Sequence, residues 1–118
     1  MDVTYLSPKE LSLRTIDGHI FLNSSEIVRF EADRNYTLLY LLNQALPERL
    51  SCSFSDIEKR LKTNKQFYKC HRSHIVNLTY IKKFKDKAHY LQTEHGEVPV
   101  SESYLHDFKE LFCKPHIY

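Results

Sequence analysis

Residues 67–84 read FYKCHRSHIVNLTYIKKF, and this stretch decides the fold class. Phe67-Tyr68-Lys69-Cys70, Ile75-Val76-Asn77-Leu78 and Tyr80-Ile81-Lys82-Lys83-Phe84 are short runs rich in aromatic and β-branched residues, which suit a pleated, half-buried surface. Between the first two lies Lys69-Cys70-His71-Arg72-Ser73-His74, a basic, donor-rich knot with strand-like sequence on both sides. Such a knot presents polar side chains from a rigid support. Arginine offers a planar fork that fits the O6/N7 edge of guanine, while lysine, serine and histidine donate to phosphate.

Working outward, the same β character continues on both sides. Leu11, Leu13 and Thr15 alternate with polar residues, and Asp17-Gly18 precedes His19-Ile20-Phe21-Leu22, which predicts a hairpin with positive φ at both turn residues. After a turn at Asn23-Ser24-Ser25, Ile27–Ala32 reads as a strand. Asp33-Arg34-Asn35 is a polar break, and Tyr36–Leu42 reads as the next strand. A further short strand is expected at Arg49-Leu50-Ser51-Cys52. Ser55-Asp56-Ile57-Glu58 fits a capping box and predicts a helix at about 55–62. Ala88–Thr93, a turn at Gly96, and Val98-Pro99-Val100 follow. Ser101 then caps a second helix at about 102–112, with Tyr104, Leu105, Phe108, Leu111 and Phe112 on one apolar stripe. The expected fold is mainly β with two short helices. Residues 1–10 read as a lead-in or linker, 11–113 as one domain and 114–118 as a tail.

The chain of 118 residues is 42% hydrophobic, with 15 Tyr and Phe, enough for one modest core. No apolar run approaches a membrane span, and the N-terminus lacks a signal pattern, so a cytoplasmic location without membrane contact is expected. Three cysteines without a CxxC pair, Cys52, Cys70 and Cys113, read as reduced thiols with packing roles. The net charge of +2 conceals a strong asymmetry: −4 over residues 1–58, +9 over 59–87 and −3 over 88–118. A polyanion-binding face accounts for this, and nucleic acid is the commonest large polyanion. A solvated lysine-rich stretch accounts for it equally well on charge alone.

Cys70-His71-x-x-His74 packs its donors into five residues, unlike the separated pairs of a structural zinc module, and no metal or other cofactor is expected. A Cys–His nucleophile lacks any oxyanion loop, so no catalytic residue is assigned and the chain is not read as an enzyme. Asn77, though followed by Leu78-Thr79, reads as a backbone-bonding residue at a turn. A basic, aromatic-rich β domain also fits a single-stranded nucleic-acid binder that stacks bases. Against that, the cluster Lys82-Lys83-x-Lys85-x-Lys87 has few aromatics interleaved at strand period. A basic module that binds an acidic protein is the third reading.

Three blocks resemble one known family. F-Y-K-C-H-R-S-H-I-V-N-L-x-x-I, from Phe67 to Ile81, looks like the signature of LytTR-type DNA-binding domains, the output modules of many bacterial two-component response regulators. Ser25-Glu26-Ile27-Val28-Arg29-Phe30-Glu31-Ala32-x-x-Asn35-Tyr36-Thr37 resembles the family's early block, and Val98-Pro99-Val100-Ser101-x-x-Tyr104-Leu105 its closing block. The resemblance implies an elongated all-β arrangement of three small antiparallel sheets whose inter-strand loops, rather than a recognition helix, enter successive major grooves of double-stranded DNA. Carried over by position, Asn35, Tyr36, Arg72 and Ser103 would contact bases, and Arg34, Lys69, His71, Ser73 and Ser101 would contact phosphates. Lys82 and Lys83, in the basic segment, join the phosphate set. The chain departs from the family at Glu102-Ser103, where two basic residues are common; a carboxylate there is repelled by phosphate but can accept from cytosine N4. The resemblance further implies paired direct-repeat half-sites, a possible homodimer on DNA, and a receiver or other regulatory domain in the full-length protein.

Overall fold

The structure, a computed structural model, describes residues 10–112. The expected tail, Cys113 and all but the last residue of the expected lead-in lie outside the described residues. Ten strands and two helices follow in the order β1 (Glu10–Thr15), β2 (Gly18–Asn23), β3 (Ile27–Asp33), β4 (Tyr36–Leu41), β5 (Glu48–Leu50), α1 (Phe54–Leu61), β6 (Phe67–His71), β7 (His74–Asn77), β8 (Ile81–Lys85), β9 (Tyr90–Thr93), β10 (Gly96–Pro99) and α2 (Glu102–Phe112). Single 3₁₀ turns occupy Ser24–Glu26 and Leu78–Tyr80.

The expected mainly β class with two helices is what the chain forms. The sheets number two rather than three: a seven-stranded sheet, β2-β1-β5-β4-β3-β7-β6, and a three-stranded sheet, β10-β9-β8. The β1–β2 hairpin, which would count as a sheet of its own, is tied into the larger ladder by the single pair Thr15↔Leu50. All pairings are antiparallel, and the molecule is elongated, 47 × 30 × 25 Å.

Burial explains the layering. Ile27, Val28, Arg29 and Phe30 are consecutive and all buried, so β3 is covered on both faces. On one face Phe30 and Ile75 join Leu13, Leu39, Leu50 and the α1 side chains Phe54, Ile57 and Leu61. On the other, Val76 and Cys70 pack with Leu91, Val98, Val100 and Phe108, from the small sheet and α2. The adjacent residues Ile75 and Val76 therefore point to opposite cores, as strand alternation requires.

Three local expectations change. Helix α1 begins one residue early because Phe54 belongs to its buried stripe with Ile57 and Leu61. Its cap is Ser53, which accepts from the Asp56 N–H at 3.2 Å, rather than Ser55. The first hairpin turns at Ile16-Asp17 rather than Asp17-Gly18, since Thr15 pairs with Gly18, and neither Asp17 nor Gly18 has positive φ. Thr15 Oγ1 donates to Asp17 Oδ1 at 2.8 Å across that turn, so a side chain holds the bend. In α2 only Phe108 of the apolar stripe is buried, while Leu111 and Phe112 are exposed.

Two polar side chains fasten the layers. Asn77 is fully buried; its Nδ2 donates to the Ile27 carbonyl at 2.7 Å and the Ser24 carbonyl at 3.4 Å, and its Oδ1 accepts from the Thr79 N–H at 3.0 Å. Arg29, also buried, donates from Nε to the His95 carbonyl at 2.8 Å, pairs with Glu31 at 2.7 Å, and lies 3.7 Å from the Tyr40 ring centroid. That arginine anchors the β9–β10 turn, where Gly96 takes φ +83°, to the large sheet.

Candidate nucleic-acid interface

Strand direction brings several turns to one edge. Because β3 pairs antiparallel with β4 and β7, the β3–β4 turn (Arg34-Asn35) and the β6–β7 turn (Arg72-Ser73) share an end of the large sheet. The Ala32 N–H donates to the Ser73 carbonyl at 2.9 Å, which locks the two turns side by side. Beyond β6, the Ser101 N–H donates to the Cys70 carbonyl at 3.1 Å and sets the start of α2 next in the row. The segments carrying Asn35-Tyr36, Arg72 and Ser103 are thus neighbours along one edge.

The side chains on this edge are unevenly engaged. Arg34, at φ 58°, and Asn35 are exposed, and Tyr36 is 40% exposed. Arg72 is exposed, and neither Arg34 nor Arg72 forms an ion pair with a described residue. The ladder shifts register between Lys69 and His71, an irregularity of the kind that re-aims side chains beside a site. His71 Nδ1 accepts from the Ser73 N–H at 3.0 Å, so in the neutral ring Nε2 carries the proton and is left as a donor. The His71 and His74 rings meet edge to face at 5.2 Å. His74 Nδ1 is buried without a hydrogen-bond partner among the described residues. Burial pushes the His74 imidazole down to about 4; Glu31 opposes this, while Arg29 and His71 add to it. That ring is neutral near pH 7.

Other expected phosphate contacts are already held. Lys69 pairs with Glu58 at 2.9 Å, and that hydrogen bond raises its ammonium above the usual lysine range. Ser101 Oγ lies 3.2 Å from Ser103 Oγ; Ser103 and Glu102 are exposed in the first turn of α2. Lys82 lies 3.4 Å from Glu94, and Lys83 is exposed without an ion partner among the described residues. The start of β8 pairs with the end of β9, and the β9–β10 turn reaches back to Leu41 and Arg29 at the opposite end of the large sheet. Lys82 therefore lies toward the end remote from the turns. Lys85 and Lys87 lie nearer them, because the Val100 N–H donates to the His89 carbonyl at 2.8 Å.

Cys70 does not reach the surface. Its thiol points to the Pro99 carbonyl at 3.6 Å, and burial pushes it up to about 12. As a neutral, enclosed thiol it is poorly suited to nucleophilic or ligand chemistry. One residue absent from the sequence-based set stands at the edge: Arg49 of β5, about half exposed, pairs with Asp33 at 2.8 Å, and its guanidinium lies 5.2 Å from the Tyr36 ring centroid. No linear pattern marks it, because its neighbours are set by the β4–β5 register. Among the described residues no helix is long and apolar enough to cross a membrane.

Comparison with known proteins gives a consistent set of relatives. The family model of the LytTr DNA-binding domain matches residues 17–113. The heme-containing CO-sensing transcriptional regulators RcoM 2 and RcoM 1 of Paraburkholderia xenovorans are 33% and 34% identical over 97 residues, 78% of this chain and 35% of each regulator. The chain thus spans about a third of the length of these curated relatives. Among solved structures, the LytTr DNA-binding domain of a protein described as a methyl-accepting/DNA response regulator from Bacillus cereus superposes with a TM-score of 0.72. It is 28% identical, and the match covers 89% of this chain and 97% of that one.

Proposed function

This chain belongs to the LytTr DNA-binding domain family, and from that premise we propose that it binds double-stranded DNA sequence-specifically as the output domain of a cytoplasmic bacterial transcriptional regulator. The observation that carries the reading is the edge on which the β3–β4 turn, the β6–β7 turn and the start of α2 are hydrogen-bonded side by side. Narrow turns of this kind enter a major groove about 12 Å wide, where each base pair presents a distinct donor and acceptor pattern.

In this reading Arg72 reads a guanine edge, Asn35 and Tyr36 read bases beside it, and Ser103 makes the third and weakest contact because Glu102 adjoins it. Arg34, His71 Nε2, Ser73 and Ser101 hold phosphates. Lys69 joins them only by exchanging Glu58 for a phosphate oxygen. Lys82 and Lys83 act through the long-range field rather than by contact, while Lys87 stands nearer the backbone. Charge neutralisation gives salt-dependent affinity for any duplex, and a good bidentate base contact adds about 1–3 kcal/mol of discrimination. So few base contacts per domain call for two copies on direct-repeat half-sites about one helical turn apart. Pairing then comes from a homodimer on DNA or from a receiver or other regulatory domain elsewhere in the full-length protein. No catalytic step is assigned.

The test is anisotropy binding to random duplex, random single strand and a selected duplex library across a salt series. Enrichment of a repeated motif with a steep negative salt slope supports the proposal. Preference for single strands would transfer the function to base stacking, and no binding to nucleic acid would point to an acidic protein partner.

A further inference from the structure

The reading edge contains one charged assembly that the proposed function leaves unused. Arg49 projects from β5 opposite Leu38, two residues along β4 from Tyr36 and so diagonal to it on the same face: Leu38 pairs with Arg49 and Thr37 with Leu50. Its Nη2 donates to Asp33 Oδ2 at 2.8 Å, and its Cζ lies over the Tyr36 ring, 5.2 Å from the centroid. Asp33 and Tyr36 are cross-strand partners that close the β3–β4 turn. Arg49 therefore spans the base of the turn, fixed to one strand by an ion pair and to the other by a cation–π contact.

We infer that Arg49 is a positioning residue for base reading, holding the Tyr36 ring in a single orientation at the groove. The inference rests on the reading of this edge as a DNA interface. Three physical points carry it. Tyr36 is 40% exposed, so packing alone leaves its ring free to swing, and the described cation beside it is Arg49. A planar guanidinium both stacks and hydrogen-bonds in a fork, so one arginine can satisfy Asp33 and flank a ring at once, which a lysine cannot do. Pairing also neutralises Asp33, a carboxylate at the edge that would otherwise repel phosphate near Arg34 and Asn35. Because the guanidinium is committed to Asp33 and Tyr36, its effect on DNA passes through the ring.

The experiment is a thermodynamic cycle on the chain itself. First, a preferred duplex is selected with the unsubstituted protein, and the base pair whose discrimination is lost in Tyr36→Ala is identified. Arg49→Ala, Arg49→Lys and the double variant Arg49→Ala/Tyr36→Ala are then measured on the preferred duplex and on duplexes altered at that pair, with urea melts as a check on folding. An exposed cation–π contact implies about a two- to fivefold loss of discrimination at that one base pair. The expected result is that loss in Arg49→Ala, no recovery in Arg49→Lys, and no further loss in the double variant. Equal weakening of every duplex by Arg49→Ala, restored by Arg49→Lys, would overturn the inference and make Arg49 a plain phosphate charge. Additive losses in the double variant would overturn it too. If the unsubstituted protein shows no preferred duplex, the parent reading fails before Arg49 is tested, and the two failures are distinguished.

Discussion

Replacing Asn77 separates what holds this domain together from what reads DNA. The carboxamide is fully buried and makes good bonds to the Ile27 carbonyl (2.7 Å) and from the Thr79 N–H (3.0 Å), with a longer one to the Ser24 carbonyl (3.4 Å). It thereby ties the end of β7 to the entry of β3, about fifty residues earlier. Each buried backbone group left without a partner costs about 1–3 kcal/mol, so Asn77→Ala is expected to destabilise by about 2–4 kcal/mol. For a domain of this size that lowers the thermal midpoint by on the order of 10–20 °C. Asn77→Asp keeps the shape but turns an ionised oxygen toward two carbonyls. Its folded-state pKa is therefore raised, and its stability is best in acid and falls as pH rises from the unfolded carboxyl value through the folded one. Urea melts of both variants at pH 4.5 and pH 7.5, with duplex binding measured under conditions where each is folded, check this. Asn77→Ala should lose stability at both pH values and retain duplex preference; Asn77→Asp should recover on acidification. A loss below about 0.5 kcal/mol for Asn77→Ala, the scale of an ordinary surface substitution, would refute the reasoning.

Arg72→Ala should cost about 1–3 kcal/mol of preference between cognate and scrambled duplex with little change in melting, since Arg72 is exposed and has no ion partner among the described residues; competition titration checks it. Lys87→Ala should weaken all duplexes equally and reduce the salt slope by about one, whereas Lys82→Ala, beside Glu94, should change the slope less. His74, pushed down to about 4 by burial, binds its proton more weakly folded than unfolded, so its contribution is full above about pH 6.5 and is lost as pH falls toward 4. A His74→Gln variant should show a flatter dependence of the urea midpoint over that window.

The local signals lay in the sequence, and the distant ones did not. Alternation at Leu11, Leu13 and Thr15 located the first strand, and the Phe67–Phe84 stretch located two strands around their turn, because side-chain period is a local property. Asn77 was readable as a backbone-bonding residue, yet its partners Ser24 and Ile27 depend on β3 lying against β7. The Asp17-Gly18 turn was misplaced by one residue because the register Thr15↔Gly18 and the Thr15–Asp17 hydrogen bond outweigh the dipeptide preference. Lys82 and Lys83 looked continuous with Arg72 along the chain. Strand reversal sends them toward the other end of a sheet whose strands run roughly 20 Å, at about 3.3 Å per residue. Arg49 had no linear signal at all, since its two neighbours come from the turn before it across the β4–β5 ladder. The family resemblance supplied Asn35, Tyr36, Arg72 and Ser103 as a set; the two hydrogen bonds that bring their segments together are the part only folding reveals.

The most direct test is a titration of isotope-labelled protein with its selected duplex, following backbone amide shifts residue by residue. The account predicts the largest changes at Arg34, Asn35 and Tyr36, at Arg72 and Ser73, and at Ser101 to Ser103, with smaller ones at Lys87. Changes centred on Lys59, Arg60, Lys62 and Lys65, with the three turn segments unmoved, would contradict it.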